Sequence, residues 1–491
     1  MAAGARARLR RLAAQHRPRP VVGHRHPDLV GADAVRRVRG RGPGRAVEPA
    51  ARRGGARGDA AGGDPAGARG HPGPDGRCPV SATALGTARL LGGVTRGVRA
   101  DLVTHRHRHG PQRHRSVEEL AAAAAEVRLL GRGGAAFPVA TKLLAVPTGS
   151  RTQVLVNGSE SEPASRKDRT LMTLTPHLVL DGALAVARAL RTRHVTIAVH
   201  DAAALASLRT ALDERARDEP IHERVDLRRT AGRFVSGEVR ALLRGLDGGP
   251  AVPPSRRTLP SDSGLRGAPT FASNVETFAQ VALLVSLGAT EFGAVGNPEE
   301  PGTTLLTLLG DTRTQGVVEV PTDLPLDALL PGAGGPVLVG GYHGRWVRDV
   351  DGLAAARPGL RAAGLPLNAG VVARLPREVC ALAEVTAVTR WLAAQSAGQC
   401  GPCLYGTAAL AHDVGELLHG RAAPAVEARL RGLVGRGACA HPDGTTAFVS
   451  TALATLGDEL ELHRQHGGCG RPYAGVLPLG PLGRPDPGGA R

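Results

Sequence analysis

One stretch of the 491-residue chain, residues 131–169, constrains the fold more than any other. Its parts are, in order, a glycine-rich loop, a lysine, an apolar run and a polar loop: Gly131-Arg132-Gly133-Gly134, Lys142, Val154-Leu155-Val156 and Asn157-Gly158-Ser159-Glu160-Ser161-Glu162. A short apolar run between turn residues is typical of a buried strand. The stretch therefore predicts a strand, 152–156, whose carboxyl end delivers an amide and two carboxylates to the edge of a sheet.

The segments after this strand alternate between helical and strand patterns. Residues 176–190 and 201–216 have the spacing of amphipathic helices, and residues 195–199 and 225–229 that of strands. Such alternation predicts βαβ units and a parallel sheet covered by helices. Ligands of these sheets bind at the carboxyl ends of the strands, which is where Asn157 and the acidic loop are expected to lie.

Composition changes after residue 295 and again after residue 375. Short strands are predicted at 303–309, 316–320 and 337–339, and helices at 377–395, 403–419, 424–434 and 445–463. No run of about 18 apolar residues occurs, so we expect no membrane span. The predicted units are a disordered extension, an α/β domain, a β-rich module, a helical domain and a tail: 1–80, 82–295, 300–372, 376–466 and 467–491.

The net charge of +18 is concentrated at the start of the chain. Residues 1–80 hold 17 arginines against 6 acidic residues and contain no aromatic side chain. Such a segment cannot bury enough apolar surface to fold. A nucleic-acid-binding arm is the alternative to a disordered extension, but nucleic-acid binding is disfavoured because no aromatic platform accompanies the arginines.

The chain has only two lysines, Lys142 and Lys167, and both lie in the stretch described first. A glycine loop lets backbone approach a phosphate closely, and a lysine can pair with a phosphate or an anionic ring. Asn157 can hydrogen-bond a ribityl hydroxyl or a ring edge. The alternative for Glu160 and Glu162 is a solvated loop that caps a helix.

Four of the six cysteines follow residue 395, which indicates metal chemistry in a reducing compartment. Cys400 and Cys403 form a C-x2-C pair, and Cys439 follows between later helices. This spacing is typical of a zinc or iron–sulfur site. The other cysteines and two histidines are expected in the core, in the extension or at the surface: Cys380 in the core, Cys78 in the extension, and Cys469, His412 and His419 at the surface.

Five motifs occur in the order found in one protein family: Gly131–Pro138 with Lys142, Asn157–Arg169, Ser236-Gly237-Glu238, Asn274-Val275-Glu276-Thr277 and Gly398-Gln399-Cys400-Gly401-Pro402-Cys403. In this the chain resembles the NADH-binding flavoprotein subunit of respiratory complex I. It is also similar to diaphorase subunits of NAD-linked formate dehydrogenases and hydrogenases. The resemblance covers roughly residues 85–465. It implies a Rossmann-like FMN-binding domain, a ubiquitin-like β-grasp module and a C-terminal helical bundle with a [4Fe–4S] cluster.

The resemblance also implies roles for individual residues. The cofactor-binding set is Gly131, Arg132, Gly133, Gly134, Lys142, Asn157, Glu238, Asn274 and Thr277. The catalytic pair, Glu160 and Glu162, would lie near the flavin and the nicotinamide. The metal ligands would be Cys400, Cys403 and Cys439.

Three residues depart from the family pattern. Ala397 replaces the first cluster cysteine, which leaves a [3Fe–4S] cluster, a four-iron cluster with a replacement ligand such as Cys469, or no cluster. Ser159 replaces an aspartate of the loop after the strand, and Val239 replaces the second glutamate of a Gly-Glu-Glu motif. These changes weaken the expectation of NADH binding more than that of FMN binding.

The sequence therefore predicts a flavin- and iron–sulfur-dependent NAD(P)H:acceptor oxidoreductase. Its expected partners are NAD(H) and a ferredoxin or other redox subunits, in the cytoplasm or at the inner face of the cell membrane as part of a membrane-associated complex. The alternative is a divergent paralogue that binds flavin or a cluster, or assists assembly, without oxidising NADH.

Overall fold

The computed structural model describes residues 81–218, 221–254 and 258–480. Its first sheet consists of four parallel strands, β2 Gln153–Gly158, β3 His194–Val199, β4 Arg224–Arg229 and β5 Thr270–Asn274. Their order in the sheet is β4-β3-β2-β5. Leu155 and Ile197 are fully buried, as the predicted strands require. Strand β5 was not expected, because a loop rich in proline and serine precedes it.

Helices pack on both faces of this sheet. They are α1 Leu102–His109, α2 Val117–Glu126, α3 Val139–Ala145, α4 Lys167–Leu174, α5 Pro176–Ala189, α6 Ala202–Asp218, α7 Val239–Leu246 and α8 Val275–Gly293. Helix α2 begins at a capping box, in which Ser116 Oγ accepts from the Glu119 N–H and the Glu119 carboxylate accepts from the Ser116 N–H. Residues 127–130 connect the end of this helix to the glycine loop.

Helix α8 is the one helix in the described ranges with the length and hydropathy of a membrane span. Of its most apolar window, 67% is buried inside the protein, as in a core helix. The bent pair α4 and α5 reaches the same threshold only when both helices are joined across an angle of 97°.

A second, mixed sheet consists of β1 Ala82–Ala84, β8 Thr303–Gly310, β9 Gly316–Pro321, β10 Val337–Val339, β11 Arg345–Val347 and β12 Val371–Arg374. Their order in the sheet is β1-β9-β8-β12-β10-β11. Strands β8 and β12 are parallel central neighbours, and antiparallel strands flank them on either side. This is a β-grasp arrangement, so the predicted mixed α/β class is confirmed. A two-stranded ribbon, β6 Gly296–Asn297 and β7 Glu300–Pro301, and helix α9 Arg357–Ala362 complete this part of the chain.

The edge strand β1 lies near the start of the described residues and precedes all four strands of the first sheet in the sequence. It pairs in parallel with β9, Ala82 opposite Val317. The buried Glu319 carboxylate of β9 accepts the N–H groups of Arg89, Leu90 and Leu91 at 2.8–3.0 Å. Residues 82–91 are therefore fastened to the second sheet.

The C-terminal part is helical, as predicted. Its helices are α10 Ala381–Ala394, α11 Thr407–Leu418, α12 Val426–Leu433, α13 His441–Thr455 and α14 Gly457–His466. The single helix expected at 445–463 is two helices, because the chain leaves helical geometry at Leu456.

The described part of the predicted tail, residues 467–480, lies against these helices. The buried Glu384 carboxylate accepts four successive backbone N–H groups, from Ala474 to Leu477, at 2.7–3.2 Å. Tyr342 and Trp391 donate to carbonyls farther along the same segment. This segment is therefore part of the packed structure.

Candidate functional site

The carboxyl edge of the first sheet brings two distant motifs together. Strands β2 and β5 are parallel neighbours, and their register places Asn157 opposite Asn274. Helix α8 begins directly after Asn274, which caps it by accepting from the Thr277 N–H at 3.2 Å. The position predicted for a ligand is therefore an edge lined by two asparagines and a helix N-terminus.

The glycine loop lies beside this edge. A Cβ atom placed on Gly133 would have only the Asn274 Cβ within reach, at 4.0 Å, and one on Gly134 only the Asn368 side chain, at 3.7 Å. Gly134 is exposed and Gly133 half-buried. A ligand can therefore approach this backbone without meeting a side chain, as a phosphate-binding loop requires.

Lys142 projects from α3 to the same edge and has no anionic partner among the described residues. Its ammonium donates to the Ala272 carbonyl of β5 at 2.9 Å and lies 5.9 Å from the centre of the Phe271 ring. Burial lowers the pKa of Lys142 from 10.5 to about 8. A partly desolvated cation without a counter-charge fits an anionic ligand.

The loop after β2 is held by polar contacts. Asn157 donates to the Gly237 carbonyl at 2.9 Å and accepts from the Ser159 N–H at 3.2 Å. Ser159, which stands where an aspartate was expected, donates to the Thr230 hydroxyl at 2.7 Å. At this position a hydrogen bond between two hydroxyl groups therefore stands where the family pattern has a negatively charged aspartate.

The two predicted catalytic carboxylates have different surroundings. Glu160 accepts from the Ser165 hydroxyl at 2.7 Å and from the Asp168 and Arg169 N–H groups at 3.0 and 2.9 Å. These groups open helix α4, so the Glu160 carboxylate has the helix-capping contacts that were weighed as the alternative to catalysis. A catalytic role for Glu160 stays a prediction.

Glu162 faces the second sheet. Its carboxylate accepts from the Tyr342 N–H at 2.6 Å. Gly341 has φ of +82°, and a Cβ there would lie 2.3 Å from the carboxylate, so the close approach requires glycine. Burial, with a smaller contribution from the nearby Glu160, raises the pKa of Glu162 to about 8, against the hydrogen bond from Tyr342.

Glu238, predicted to bind a cofactor, caps helix α7. Its carboxylate accepts from the Ala241 N–H at 3.1 Å and from Arg240 Nε at 2.8 Å. Its negative charge also raises the pKa of Cys439, after the larger effect of burial. Glu238 therefore lies between the loop after β2 and the cysteines, and the next residue, Val239, begins the helix.

The Arg132 side chain points away from the glycine loop into the interior. It is fully buried and pairs with Glu300, which also pairs with Arg357 at 2.6 Å. Its backbone N–H donates to the Thr277 hydroxyl at 2.9 Å. Arg132 and Thr277 thus fasten the glycine loop to α8, and only their backbone positions border the proposed ligand edge.

Lys167 is also paired. Its ammonium lies 2.8 Å from Asp168 and 3.0 Å from Glu276, both buried. Burial by itself would lower the pKa of Lys167, but the two carboxylates outweigh burial and raise it. Asp168 in turn accepts from the Asn274 amide at 3.3 Å, so this network orients the asparagine at the sheet edge.

The three predicted metal ligands come together beside a π-helical turn, Pro402–Gly406, that precedes α11. Burial, and then the neighbouring Cys400 and Cys439, raises the pKa of Cys403 to about 12. The N–H of Ala397 hydrogen-bonds the Cys403 sulfur, so the alanine occupies the place beside the thiols where a fourth cysteine was expected. Ligation of an iron–sulfur cluster by these three thiols stays a prediction.

Cys469 lies elsewhere, which overturns its suggested role as replacement ligand. It is half-buried beside Cys380, and these two residues group with Glu459 and His463. The Glu-x3-His spacing on one helix was the signal that pointed to this group, and sequence reasoning overlooked it. Cys380 is buried and His412 and His419 are exposed or half-buried at the surface, as predicted, and Cys78 lies outside the described residues.

Two family models match the chain. One, described as the Nuo51 FMN-binding domain, matches residues 124–283, and the other, described as the NADH-ubiquinone oxidoreductase-F iron-sulfur binding region, matches residues 383–463. The first contains the glycine loop, Lys142 and both asparagines. The second contains all three grouped cysteines. The predicted FMN and iron–sulfur cofactors are therefore those of the matching family.

Relatives and solved structures agree with this assignment. The F subunit of NADH-quinone oxidoreductase from Mycobacterium bovis is 30% identical over 372 residues, covering 70% of this chain and 83% of the relative. The Streptomyces coelicolor counterpart is 28% identical, covering 72% and 84%. A chain of the NAD+-reducing [NiFe]-hydrogenase in the H2-reduced state matches with a TM-score of 0.63 and 27% identity, over 72% of this chain and 63% of its own length. The chain belongs to the family of NADH-quinone oxidoreductase F subunits.

Proposed function

We propose that this chain binds FMN at the carboxyl edge of the first sheet and oxidises NADH for a redox partner. Bound FMN would supply the conversion between two-electron and one-electron transfer, with a cluster on Cys400, Cys403 and Cys439 as the next carrier. The unpaired ammonium of Lys142 beside the glycine loop carries this proposal. Family membership supports an oxidoreductase function, and the residue roles below are specific to this chain.

The sheet edge would bind the flavin nucleotide through complementary groups. Gly133 and Gly134 leave backbone open to a phosphate or a ring, and Lys142 supplies the positive charge. Asn274 is held in place by Asp168 and Thr277. Because these groups are preorganised, binding requires little rearrangement of the protein.

Glu162 would hold a proton near the reacting groups. With its pKa raised to about 8, the carboxyl is mostly protonated at neutral pH. A neutral acid in the loop after β2 does not repel an anionic dinucleotide, whereas a carboxylate would. We infer that Glu162 serves dinucleotide binding in this way, with its proton on a carboxyl oxygen.

Electrons would leave the protein near the three cysteines, Cys400, Cys403 and Cys439. Leu404 and Tyr405 directly follow Cys403 and are 52% and 76% exposed. Exposed apolar and aromatic side chains next to a redox centre suit contact with a redox subunit or a ferredoxin. The mycobacterial relative is named for a quinone oxidoreductase, so we propose a cytoplasmic location or the inner face of the membrane, within such a complex.

Anaerobic purification with flavin and iron analysis, followed by EPR after NADH addition, tests the proposal. We expect releasable FMN, iron, and a cluster signal that NADH induces. A colourless preparation that stays free of flavin after reconstitution would contradict the proposal. The variant Ala397→Cys, which restores a fourth thiol, provides a four-ligand reference for the EPR spectrum.

A second function is favoured by two observations at the dinucleotide and cluster positions. The Glu238 carboxylate is engaged by Arg240 and the α7 N-terminus, and Ala397 offers no ligand. A paralogue that binds flavin and a cluster without oxidising NADH would carry these features. It predicts a bound chromophore that dithionite reduces and NADH does not.

A further inference from the structure

Four side chains with metal-binding atoms converge at the far side of the helical region. Cys380, Glu459, His463 and Cys469 each place one donor atom within 4.8 Å of the others. The first three are at most 6% exposed, and Cys469 is half-buried. None of the four belongs to the three-cysteine group of Cys400, Cys403 and Cys439.

Two parts of the chain that are distant in sequence contribute these donors, the start of α10 and the region of α14 with the segment that follows it. Cys380 is the N-cap residue of α10. Glu459 and His463 are one turn apart on α14 and therefore face the same way. Cys469 follows α14 in the segment that Glu384 holds farther along. Chance packing of apolar surfaces does not explain why four donors meet at one point.

The geometry matches a tetrahedral site. Cys380 Sγ lies 3.3 Å from Glu459 Oε1 and 3.4 Å from His463 Nε2. In a tetrahedral zinc site with ordinary bond lengths, a sulfur and a nitrogen or oxygen ligand are about 3.5 Å apart. Glu459 Oε1 and His463 Nε2 are 4.0 Å apart, so a small movement would complete the set.

His463 is oriented as a metal ligand. Its Nδ1 lies 2.6 Å from the Leu418 carbonyl oxygen, which can only accept. Nδ1 therefore carries the hydrogen, and the lone pair of Nε2 points at Cys380 and Glu459. A backbone carbonyl that fixes the other ring nitrogen is the usual support of a metal-bound imidazole.

The charges balance with a divalent ion. Two thiolates and one carboxylate carry three negative charges, and Arg471 brings one positive charge to the same point. Its guanidinium donates to Glu459 Oε2 at 2.7 Å and hydrogen-bonds the Cys469 sulfur. A 2+ ion would bring the sum to zero, which a buried site needs.

We propose that Cys380, Glu459, His463 and Cys469 bind one zinc ion, or a similar thiophilic divalent cation. Two sulfurs, an imidazole and a carboxylate form a four-coordinate site with no open position, so its role is structural. The ion would join the start of α10, the end of α14 and the segment from Cys469 onward. The site is independent of the flavin edge and of the cluster.

Metal analysis of the full-length protein, purified anaerobically and dialysed against EDTA, tests this. We expect about one zinc per chain, retained through dialysis. Cys469→Ser, a conservative change on a half-buried segment, should lose the zinc and keep the iron. Cys400→Ser, a matched change of another half-buried cysteine, should keep the zinc and lose iron.

Cobalt and thiol labelling provide a second measurement that does not depend on a variant folding. Co2+ exchanged into the wild-type protein should give the visible absorption of a tetrahedral thiolate site. Cys469 should resist alkylation in the folded protein and react once the protein is unfolded in the presence of EDTA. Less than about a tenth of a zinc per chain with free Cys469 in the folded protein would overturn the proposal. A mass shift showing a Cys380–Cys469 disulfide, or zinc retained by Cys469→Ser, would overturn it equally.

Discussion

Buried charges occur in two contrasting settings around the first sheet. Arg132 and Arg357 pair with Glu300, and Lys167 pairs with Asp168 and Glu276. Arg132 Nε lies 4.0 Å from Glu276 Oε1 and joins the two groups, so that three positive charges meet three negative ones. Lys142, by contrast, is a partly buried cation for which the described residues supply no counter-charge. The two lysines of the chain therefore differ in whether the protein itself neutralises them.

The paired charges stabilise the fold, whereas the unpaired charge of Lys142 is available to a ligand. Paired charges fix the glycine loop and α4 against α8 and the second sheet, and their neutralisation is complete without a ligand. Burial of the unpaired Lys142 ammonium lowers its pKa, which is a free-energy penalty that an anionic ligand would relieve. Variants of each group should accordingly change different properties.

The largest expected effect is on stability, from Glu300→Gln. The change removes the carboxylate that Arg132 and Arg357 share and leaves Glu276, 4.0 Å from Arg132, as the remaining counter-charge, which should lower the free energy of unfolding by about 3–5 kcal/mol. Urea denaturation of the flavin-free protein measures this. Glu427→Gln, in an exposed pair with Arg431, is the control and should cause no measurable loss.

The next effect distinguishes the two lysines. Lys142→Met should weaken FMN binding about 10- to 100-fold, because a charged hydrogen bond of about 1.5–3 kcal/mol is lost. The unfolding temperature without FMN should stay equal or rise, since a desolvated cation is removed. Fluorescence titration with FMN and thermal unfolding give both quantities.

Lys167→Met provides the matched comparison. It leaves Asp168 and Glu276 buried as an uncompensated pair, so stability without flavin should fall. If instead Lys142→Met unfolds the protein and binds FMN normally, the division between the two lysines is wrong.

Part of this arrangement could be predicted from the sequence. The apolar runs of β2 and β3 are local signals, and both strands formed where they were expected. The pairing of Lys167 with Glu276 depends on the register of β2 and β5, and no local pattern encodes it. Strand β5 itself was missed, since its five residues follow a loop rich in proline.

The candidate site shows the same limit. Motif order predicted which residues gather at the sheet edge, but not which of their atoms are already engaged. The Glu160 carboxylate caps α4, and the Arg132 guanidinium serves Glu300. The group of four metal-binding side chains around Cys380 could be recognised only in the folded structure, because Cys380 lies far in sequence from the other three.

The last expected effect concerns the dependence of stability on pH. Glu162 has a folded pKa of about 8, against an ordinary value of 4.5, so the native protein binds the extra proton between these values. Its contribution to stability is present at low pH and is lost as pH rises through this window. Chemical denaturation from about pH 5 to pH 9 should show this decline in the wild type and a flatter profile in Glu162→Gln. Identical profiles would show that Glu162 titrates normally.

The fastening of residues 82–91 to Glu319 has a consequence for synthesis on the ribosome. The carboxylate that accepts the Arg89 N–H lies 230 residues later in the chain. At about 5–20 residues per second, strand β1 emerges roughly 10–50 seconds before its partner exists. During this interval β1 has no partner strand, so it stays unpaired while the FMN-binding region is synthesised.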